Sequence, residues 1–394
     1  MTPLSKCFTQ LSKCLTQPAF QYALVFFGAV LFCWVWYGQI DIAVFGDKDL
    51  GHYRKMAAAS PWLAWNVRAP FGYRILPPWL AGMWPGGLDA GFKIGALFTI
   101  GLLAVVWYKW LERWNLAPEM RLLGLFWLLC NPHFIGFVAF NPYQWGDVIT
   151  MLLVLGMALS LFKHRLGWFL FLLIFGAMTR EANLLMLPVA FWYLWREKVP
   201  RKLWRIYLLS AFFGVLVWMS IRFIVHPVNT EWNLVAAFST YVYRVADPVA
   251  WGRLLLNAYA PFALLVLVWI KPAYKLLRPY PEWMFFLFLV VVSSFFGQDK
   301  ERLLAPTFWV IYPVLLQMIA RLPSASQKVG LWLSLGAVFF TSWHHLVARF
   351  PIIPRNLYFV LLAFATVILG FWAWKNKHHI TIGSAVAMQE PITT

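Results

Sequence analysis

Residues 46–84 read GDKDLGHYRKMAAASPWLAWNVRAPFGYRILPPWLAGMW and lie between two long apolar segments. The flanking runs approach about 20 residues, the length that an α-helix needs to cross the hydrocarbon core of a bilayer. The stretch itself holds Asp47, Asp49, a histidine and five Lys or Arg residues. A plain connection between membrane helices needs none of these charges. The pattern therefore predicts an all-α integral membrane protein whose first connecting loop carries chemistry.

The composition of the whole chain favours the same class. Of its 394 residues 62% are hydrophobic and only 12% are charged, with a mean hydropathy of +0.67. A soluble domain of this size carries about 25% charged residues. The net charge is +18, but the basic residues are scattered in short clusters between apolar runs. This scatter indicates membrane topology and predicts no nucleic-acid partner.

The apolar runs predict about 12 transmembrane helices within one polytopic domain, residues 1–394. They lie near 22–38, 90–108, 122–140, 147–162, 166–179, 182–195, 206–224, 258–270, 283–297, 303–320, 329–346 and 357–374.

The distribution of Lys and Arg orients these spans. With the N-terminus inside, the short inner loops are basic and the short outer loops are not, as the positive-inside rule requires. Residues 1–21 and 375–394 are then cytoplasmic tails, and 39–89 and 225–257 are two long outer loops. Ten of the 15 acidic residues fall outside. We therefore expect the active site in the loop 39–89, at the outer face.

Two function classes are disfavoured by missing motifs. Neither GxxxxGK[ST] nor GxGxxG occurs in the chain. ATP-driven transport by this chain alone is therefore not expected, nor is a cytosolic enzyme that uses a nucleotide sugar. An activated substrate would reach the outer leaflet on a lipid.

The opening stretch supplies the first candidate residues. Residues 49–59 can form a short helix with Asp49 as its N-cap, and the apolar face that includes Tyr53 suits a helix lying on the membrane surface. Capping alone explains neither Asp47 nor the later Arg74, which follows an aromatic turn. A carboxylate can take a proton from a hydroxyl, and a guanidinium grips phosphate with two donors.

Three further segments place charges at the ends of predicted spans. Asp147 in NPYQWGDVIT either caps a helix or lines an acceptor site. Arg180 and Glu181 in MTREANLL form a tight hairpin or part of a broken helix that lines a cavity, where Arg180 would face a phosphate. Arg302 in GQDKERLL either belongs to a solvated turn or holds a lipid phosphate.

The sequence D-K-D…H-Y…R-A-P-F-G-Y-R-I-L-P-P-W-L-A resembles the first outer loop of the GT-C superfamily of membrane glycosyltransferases. It is most similar to the GPI-mannosyltransferase and bacterial polyprenyl-phosphate-mannose-dependent branches. Over about 40 residues, the matching positions are an acidic pair, a tyrosine and an aromatic–Arg–x–Leu–x–Pro element: Asp47, Asp49, Tyr53, Tyr73, Arg74, Leu76 and Pro78.

This resemblance implies a GT-C-like fold and a hexosyltransferase that uses a lipid-phosphate sugar. A sugar such as mannose would pass from a polyprenyl-phosphate donor to a lipid or glycan acceptor at the outer face, with inversion. The implied general base is Asp49 or Asp47. The expected substrate and phosphate contacts are Tyr53, Tyr73 and Arg74 from the resemblance and, from their places at the ends of predicted spans, Asp147, Arg180, Glu181 and Arg302.

No cofactor is assigned with certainty. Two carboxylates do not form a metal cage, so Asp47 and Asp49 are candidates only if the reaction uses a divalent cation such as Mg²⁺ or Mn²⁺. The expected location is the plasma membrane if the chain is bacterial, or the endoplasmic reticulum if it is eukaryotic.

Two other functions stay open on the sequence. A flippase or transporter for a lipid-linked glycan or another amphiphile would use the outer acids as coupling or gating groups. An acyltransferase would need a histidine embedded in the membrane, and His133 in CNPHF is the available candidate.

Overall fold

The architecture was obtained as a computed structural model, which describes residues 17–38, 49–64, 67, 71–225, 234–295, 300–344 and 354–380. These residues form helices, turns and connecting segments, and no strand occurs among them. The prediction of an all-α fold is confirmed for the described part.

The α-helices are, in chain order, α1 Pro18–Tyr37, α2 Leu50–Ala58, α3 Leu76–Gly82, α4 Leu88–Arg113, α5 Pro118–Cys130, α6 Ile135–Phe140, α7 Trp145–Phe162, α8 Leu166–Thr179, α9 Met186–Arg196, α10 Arg201–Ile224, α11 Leu234–Ala246, α12 Pro248–Ala258, α13 Ala263–Val268, α14 Ile270–Leu277, α15 Pro281–Ser294, α16 Lys300–Leu303, α17 Phe308–Ala320, α18 Ser324–Ser342 and α19 Arg355–Asn376. Short 3₁₀ turns cover Phe71–Tyr73, Pro142–Gln144, Glu181–Leu185, Ala305–Thr307 and Lys377–His379.

Six of the described helical segments are long and apolar enough to cross a membrane: Pro18–Tyr37, Leu88–Arg113, Pro142–Phe162, Arg201–Ile224, Glu301–Ala320 and Asn356–His379. The predicted number of about 12 spans is therefore not confirmed. Two shorter apolar helices, α8 and α15, accompany the six.

One of the predicted spans is broken by its own side chains. The run 122–140 divides into α5 and α6, because the Asn131 side chain replaces helical hydrogen bonds. Its Oδ1 accepts from the backbone N–H groups of His133 and Phe134, and its Nδ2 donates to the Tyr312 hydroxyl and the Ala258 carbonyl. Asparagine competes with the helical backbone in this way because its side chain offers both a donor and an acceptor.

The spanning helices differ in how deeply they are buried within the protein. The segments Glu301–Ala320 and Pro142–Phe162 are 83% and 72% buried, whereas α1 is only 17% buried. Helices α7 and α17 thus form the centre of the bundle, and α1 lies at its periphery. The long helix α4 packs against α1 on one side and α7 on the other.

The predicted first outer loop contains helices of its own. Within residues 39–89, α2 packs on α3, and α3 packs on α4, so the loop is fastened to the bundle where α1 ends and α4 begins. We call this end of the bundle the Asp49 end. The predicted second loop, 225–257, contains α11 and most of α12.

The apolar face of α2 was predicted correctly, but its interpretation was wrong. Leu50, Tyr53, Met56 and Ala57 are buried, as the helical spacing indicates. They pack against other parts of the protein, with the Tyr53 ring 5.7 Å from the Phe71 ring, and do not form a free face for the membrane surface.

Candidate active site

Asp49 immediately precedes the N-terminus of α2, but its side chain does not cap the helix. Its side chain makes no capping hydrogen bond, and its φ of 68° lies in the left-handed region that aspartate tolerates better than most residues. The Oδ2 atom instead accepts a hydrogen bond from Nε2 of Gln144, at 3.3 Å. The carboxylate is thereby directed toward the 3₁₀ turn before α7. The other carboxylate oxygen, Oδ1, takes no part in this hydrogen bond.

Tyr53 and Arg74 link α2 to the turn that precedes α3. The Arg74 guanidinium donates from Nη1 to the Tyr53 hydroxyl, at 3.3 Å. Burial alone would lower the pKa of Arg74. Tyr53 and the Glu181 and Asp147 carboxylates more than offset this effect, so its pKa lies above the usual value. Arg74 therefore stays cationic beside two acids from other segments.

Asp147 lies between two arginines that are remote in sequence. Arg180 donates from Nη1 to Asp147 Oδ1, and Arg302 places its Nη1 3.8 Å from Oδ2. All three residues are less than 9% exposed. The second contact is too long for a hydrogen bond but close enough for strong attraction at such burial. Asp147 is in the first turn of α7, but its carboxylate contacts these two arginines and does not cap the helix.

Glu181 is the second acid of the cluster. Its Oε1 lies 3.7 Å from Nη2 of Arg222, which comes from α10. Partial desolvation alone would raise the pKa of Glu181, whose side chain is 42% exposed, but the positive charges of Arg74, Arg180 and Arg222 outweigh it, and the pKa lies below the usual value. The hairpin prediction for Arg180 and Glu181 is therefore refined: each pairs with a different helix.

Aromatic rings cover the guanidinium groups. The Arg222 guanidinium lies 4.5 Å from the Tyr73 ring centre and 3.9 Å from that of Trp218. Arg302 lies 4.5 Å from the Phe137 ring centre. Such contacts hold a desolvated guanidinium in place without neutralising its charge.

The structure thus brings together eight of the nine residues that were predicted for the site, at the Asp49 end. They are Asp49, Tyr53, Tyr73, Arg74, Asp147, Arg180, Glu181 and Arg302. The ninth, Asp47, lies outside the described residues. We call the four arginines Arg74, Arg180, Arg222 and Arg302, with Asp147 and Glu181, the arginine cluster.

Two members of this neighbourhood were missed from the sequence. Arg222 carries a charge inside the predicted span 206–224, and a charge at such a position usually faces protein or a cavity. Gln144 lies three residues before Asp147 in the same motif. The charge of Arg222 was a usable signal, whereas nothing in the sequence distinguishes Gln144 from any other polar residue.

The metal-site, second-loop and histidine candidates do not belong to the arginine cluster. Among the described residues no three His, Cys, Asp or Glu side chains come close enough together to share a metal ion. In the second loop, Asp247 accepts from the backbone of Val249 at the start of α12, which is a capping role. The His133 ring lies 5.6 Å from that of His344, and neighbouring His345 lies outside the described residues.

A comparison of the chain with protein-family models, curated proteins and solved structures finds no match.

Proposed function

We propose that the chain is an integral-membrane glycosyltransferase of the GT-C type. It would move a hexose such as mannose from polyprenyl phosphate to an acceptor hydroxyl at the outer face of the membrane. The observation that carries the proposal is the charge balance of the arginine cluster. Four guanidiniums face two carboxylates there, beside Asp49.

In the arginine cluster the four guanidiniums outnumber the two carboxylates by two positive charges, and this excess fits the proposed reaction. Before transfer, the donor phosphodiester carries one negative charge and the Asp49 carboxylate carries another. Afterwards Asp49 has taken the proton, and the departing phosphate monoester carries about two negative charges, since its second pKa is about 6. The summed charge of substrate and base stays at two negatives throughout, matching the cluster.

The bond changes follow from these roles. The acceptor oxygen attacks the anomeric carbon and forms the new glycosidic bond. The bond between that carbon and the phosphate oxygen breaks, with the electron pair leaving on polyprenyl phosphate, and the acceptor proton passes to Asp49. A single displacement of this kind inverts the anomeric centre. The transition state has oxocarbenium-like character, and the guanidiniums stabilise the charge that develops on phosphate.

Arg74 is placed to bind the phosphate. Its Nη1 is bonded to Tyr53, and its Nε has no hydrogen-bond partner in the part of the chain that the structure describes. A buried donor without a partner costs roughly 1–3 kcal/mol. A phosphate oxygen would satisfy it. Arg180 and Arg302 would contribute charge while remaining tied to Asp147.

The experiment uses detergent-purified protein and radiolabelled polyprenyl-phosphate mannose, with total membrane lipids and glycans as acceptors. The measured quantities are free polyprenyl phosphate and label in the acceptor fraction. Asp49→Asn should slow transfer by about 10²–10⁴-fold, the usual contribution of a general base. An Asp49→Asn protein that folds and transfers at the normal rate would remove the proposal.

The same assay separates the alternative functions. A flippase moves a lipid from one leaflet to the other without breaking its bonds, so it would release no polyprenyl phosphate in detergent. Retained transfer in detergent thus favours the enzyme. His133→Ala should leave transfer unchanged, since His133 neighbours His344 and has no part in the proposed mechanism.

A further inference from the structure

A groove lies at the Asp49 end between α1, α4 and the segment around α6. Its volume is about 320 Å³, and its walls include Trp34, Lys93, Leu97, Val138 and Pro142. This volume is at the lower end of the range for small-molecule sites, about 300–1,000 Å³. The groove is large enough for part of an amphiphile but too small for a whole lipid.

The described wall side chains are apolar apart from Lys93 and the thiol of Cys33, and polar atoms contribute a large part of the accessible wall surface. Lys93 is half-buried, and among the wall residues that the structure describes it is the only ionisable one besides Cys33. Its Nζ lies 3.8 Å from the centre of the Trp34 ring, so the ammonium is held over the groove wall by a cation–π contact. A single positive charge above apolar walls is complementary to a lipid with a phosphate headgroup.

The groove borders the lipid-facing side of the protein. It is walled by α1, which is only 17% buried, the least of the six long apolar segments. Trp34, at the groove, is 50% exposed. The hydrocarbon chain of a lipid in the surrounding bilayer can reach such a site from the side, without crossing the protein interior.

The groove also ends close to Asp49. Pro142 forms part of its wall, and Gln144, two residues later in the same 3₁₀ turn, donates to Asp49.

None of the groove walls belongs to the arginine cluster. The cluster is supplied by α7, α10, α16, the turn after α8 and the segment before α3, whereas the groove is supplied by α1, α4 and the segment around α6. The cation of the groove, Lys93, is therefore separate from the arginine cluster, and the reaction proposed above has two substrates.

We infer that the groove binds the acceptor, and that this acceptor is a membrane lipid with a phosphate and a free hydroxyl in its headgroup. The phosphate lies near Lys93, one hydrocarbon chain lies along the apolar walls, and the hydroxyl is presented to Asp49. The acceptor role rests on the proposed transferase function. Lipid binding in the groove does not.

The test uses phosphatidylcholine vesicles that contain a small fraction of photoactivatable phosphatidylglycerol, a lipid with a phosphate and headgroup hydroxyls. Reconstituted protein is irradiated, and the crosslinked peptides are mapped by mass spectrometry. We expect crosslinks within the walls, at 33–38, 93–97 and 138–142. Crosslinks found only elsewhere would overturn the inference, as would equal labelling by photoactivatable phosphatidylcholine.

Two matched variants test the cation. Lys93→Gln should reduce labelling of the walls about tenfold, the loss expected from one charge-assisted hydrogen bond. Lys109→Gln is the control, because Lys109 makes the same kind of contact between the same two helices, 4.6 Å from the Tyr22 ring centre at their other end. Equal labelling of the two variants would mean that Lys93 is only an interfacial anchor and would overturn the inference.

A competition arm distinguishes acceptor from donor. Unlabelled polyprenyl phosphate should not displace the photoactivatable lipid from the groove, since its phosphate belongs to the arginine cluster. Displacement would assign the groove to the donor and contradict the acceptor role. Because crosslinking requires no turnover, its result is independent of the Asp49→Asn transfer assay, and the two proposals can fail separately.

Discussion

Gln144 donates a hydrogen bond to Asp49 across 95 positions of sequence, at 3.3 Å between Nε2 and Oδ2. The bond joins the helix-bearing loop 49–82 to the first turn of the buried segment Pro142–Phe162. It also fixes one oxygen of the proposed general base. A carboxylate held by one oxygen keeps the other oriented for proton transfer, and such geometry matters as much as basicity.

The first prediction concerns this bond. Gln144→Leu should lower kcat by about 10–100-fold and change KM for the lipid donor little, because misplacement by about 1 Å costs on the order of 10² in rate. Transfer assays over a range of donor concentration measure both parameters. Gln317→Leu is the control, since Gln317 is another buried glutamine, bonded to the Trp114 carbonyl. A normal kcat in a folded Gln144→Leu protein would remove its positioning role.

The second prediction concerns the stability of the arginine cluster. Asp147→Asn leaves two buried guanidiniums without their anion, and breaking a buried ion pair in this way costs about 3–5 kcal/mol. The protein in detergent should therefore unfold at a clearly lower temperature. The control is Asp89→Asn, which breaks the Arg54–Asp89 pair.

That control pair is also at the Asp49 end, with the same residue types at 3.3 Å, but its side chains are 46% and 54% exposed. Exposed pairs contribute about 0–1 kcal/mol. Equal melting temperatures for Asp147→Asn and Asp89→Asn would show that the cluster is not the buried ion network described above.

The third prediction concerns pH. The pKa of Glu181 in the folded protein lies below its value of about 4.3 in the unfolded chain, so its ionised form stabilises the fold. That contribution is fully present above about pH 4.3 and is lost as the pH falls through the folded pKa. Melting curves recorded from neutral pH down to about pH 3 should show a larger loss of stability in the wild type than in Glu181→Gln.

A second carboxylate provides the comparison for Glu181. Glu301 accepts a hydrogen bond from the neutral Asn257 amide. Glu301→Gln should therefore retain the part of the acid-dependent loss that Glu181→Gln removes. If both variants keep the same pH profile, another acid is responsible.

The sequence predicted which charged residues lie together better than it predicted their partners. Arg180 and Arg302 stand where an apolar run ends, and burial of long apolar helices brings such ends to a common level, whereas Arg74 follows the aromatic turn of the motif. Which partner each takes depends on helix packing. Asp147 was therefore read as a helix cap or a wall, whereas it joins two arginines that are 122 positions apart in sequence.

Helix features were likewise predictable where they depend on local sequence and were missed where they depend on distant residues. The period of α2 predicts its buried face, because 3.6 residues per turn is a local property. The break at Asn131 depends on Tyr312 and on the Ala258 carbonyl, which lie far along the chain. No local pattern in residues 122–140 indicates that these partners are present, so one span was predicted where two helices occur.

The fourth prediction concerns how the loop is fastened. Gly82 ends α3, and a Cβ atom added there would overlap the Ala57 carbonyl oxygen of α2. Gly82→Ala should push α2 away from α3, at a cost typical of overpacking, about 1–3 kcal/mol. Because α2 follows Asp49 and carries Tyr53, the same change should lower transfer activity. A melting curve and a transfer assay on one preparation measure both effects.

The control for Gly82 is Gly28, in the middle of α1. An added Cβ at Gly28 meets nothing within 4 Å, so Gly28→Ala should raise helix stability by about 0.5–1 kcal/mol and leave transfer unchanged. The two substitutions are chemically identical and differ only in what the new methyl group touches. If Gly82→Ala behaved like Gly28→Ala, the close contact between α2 and α3 would not be what holds Asp49 against Gln144.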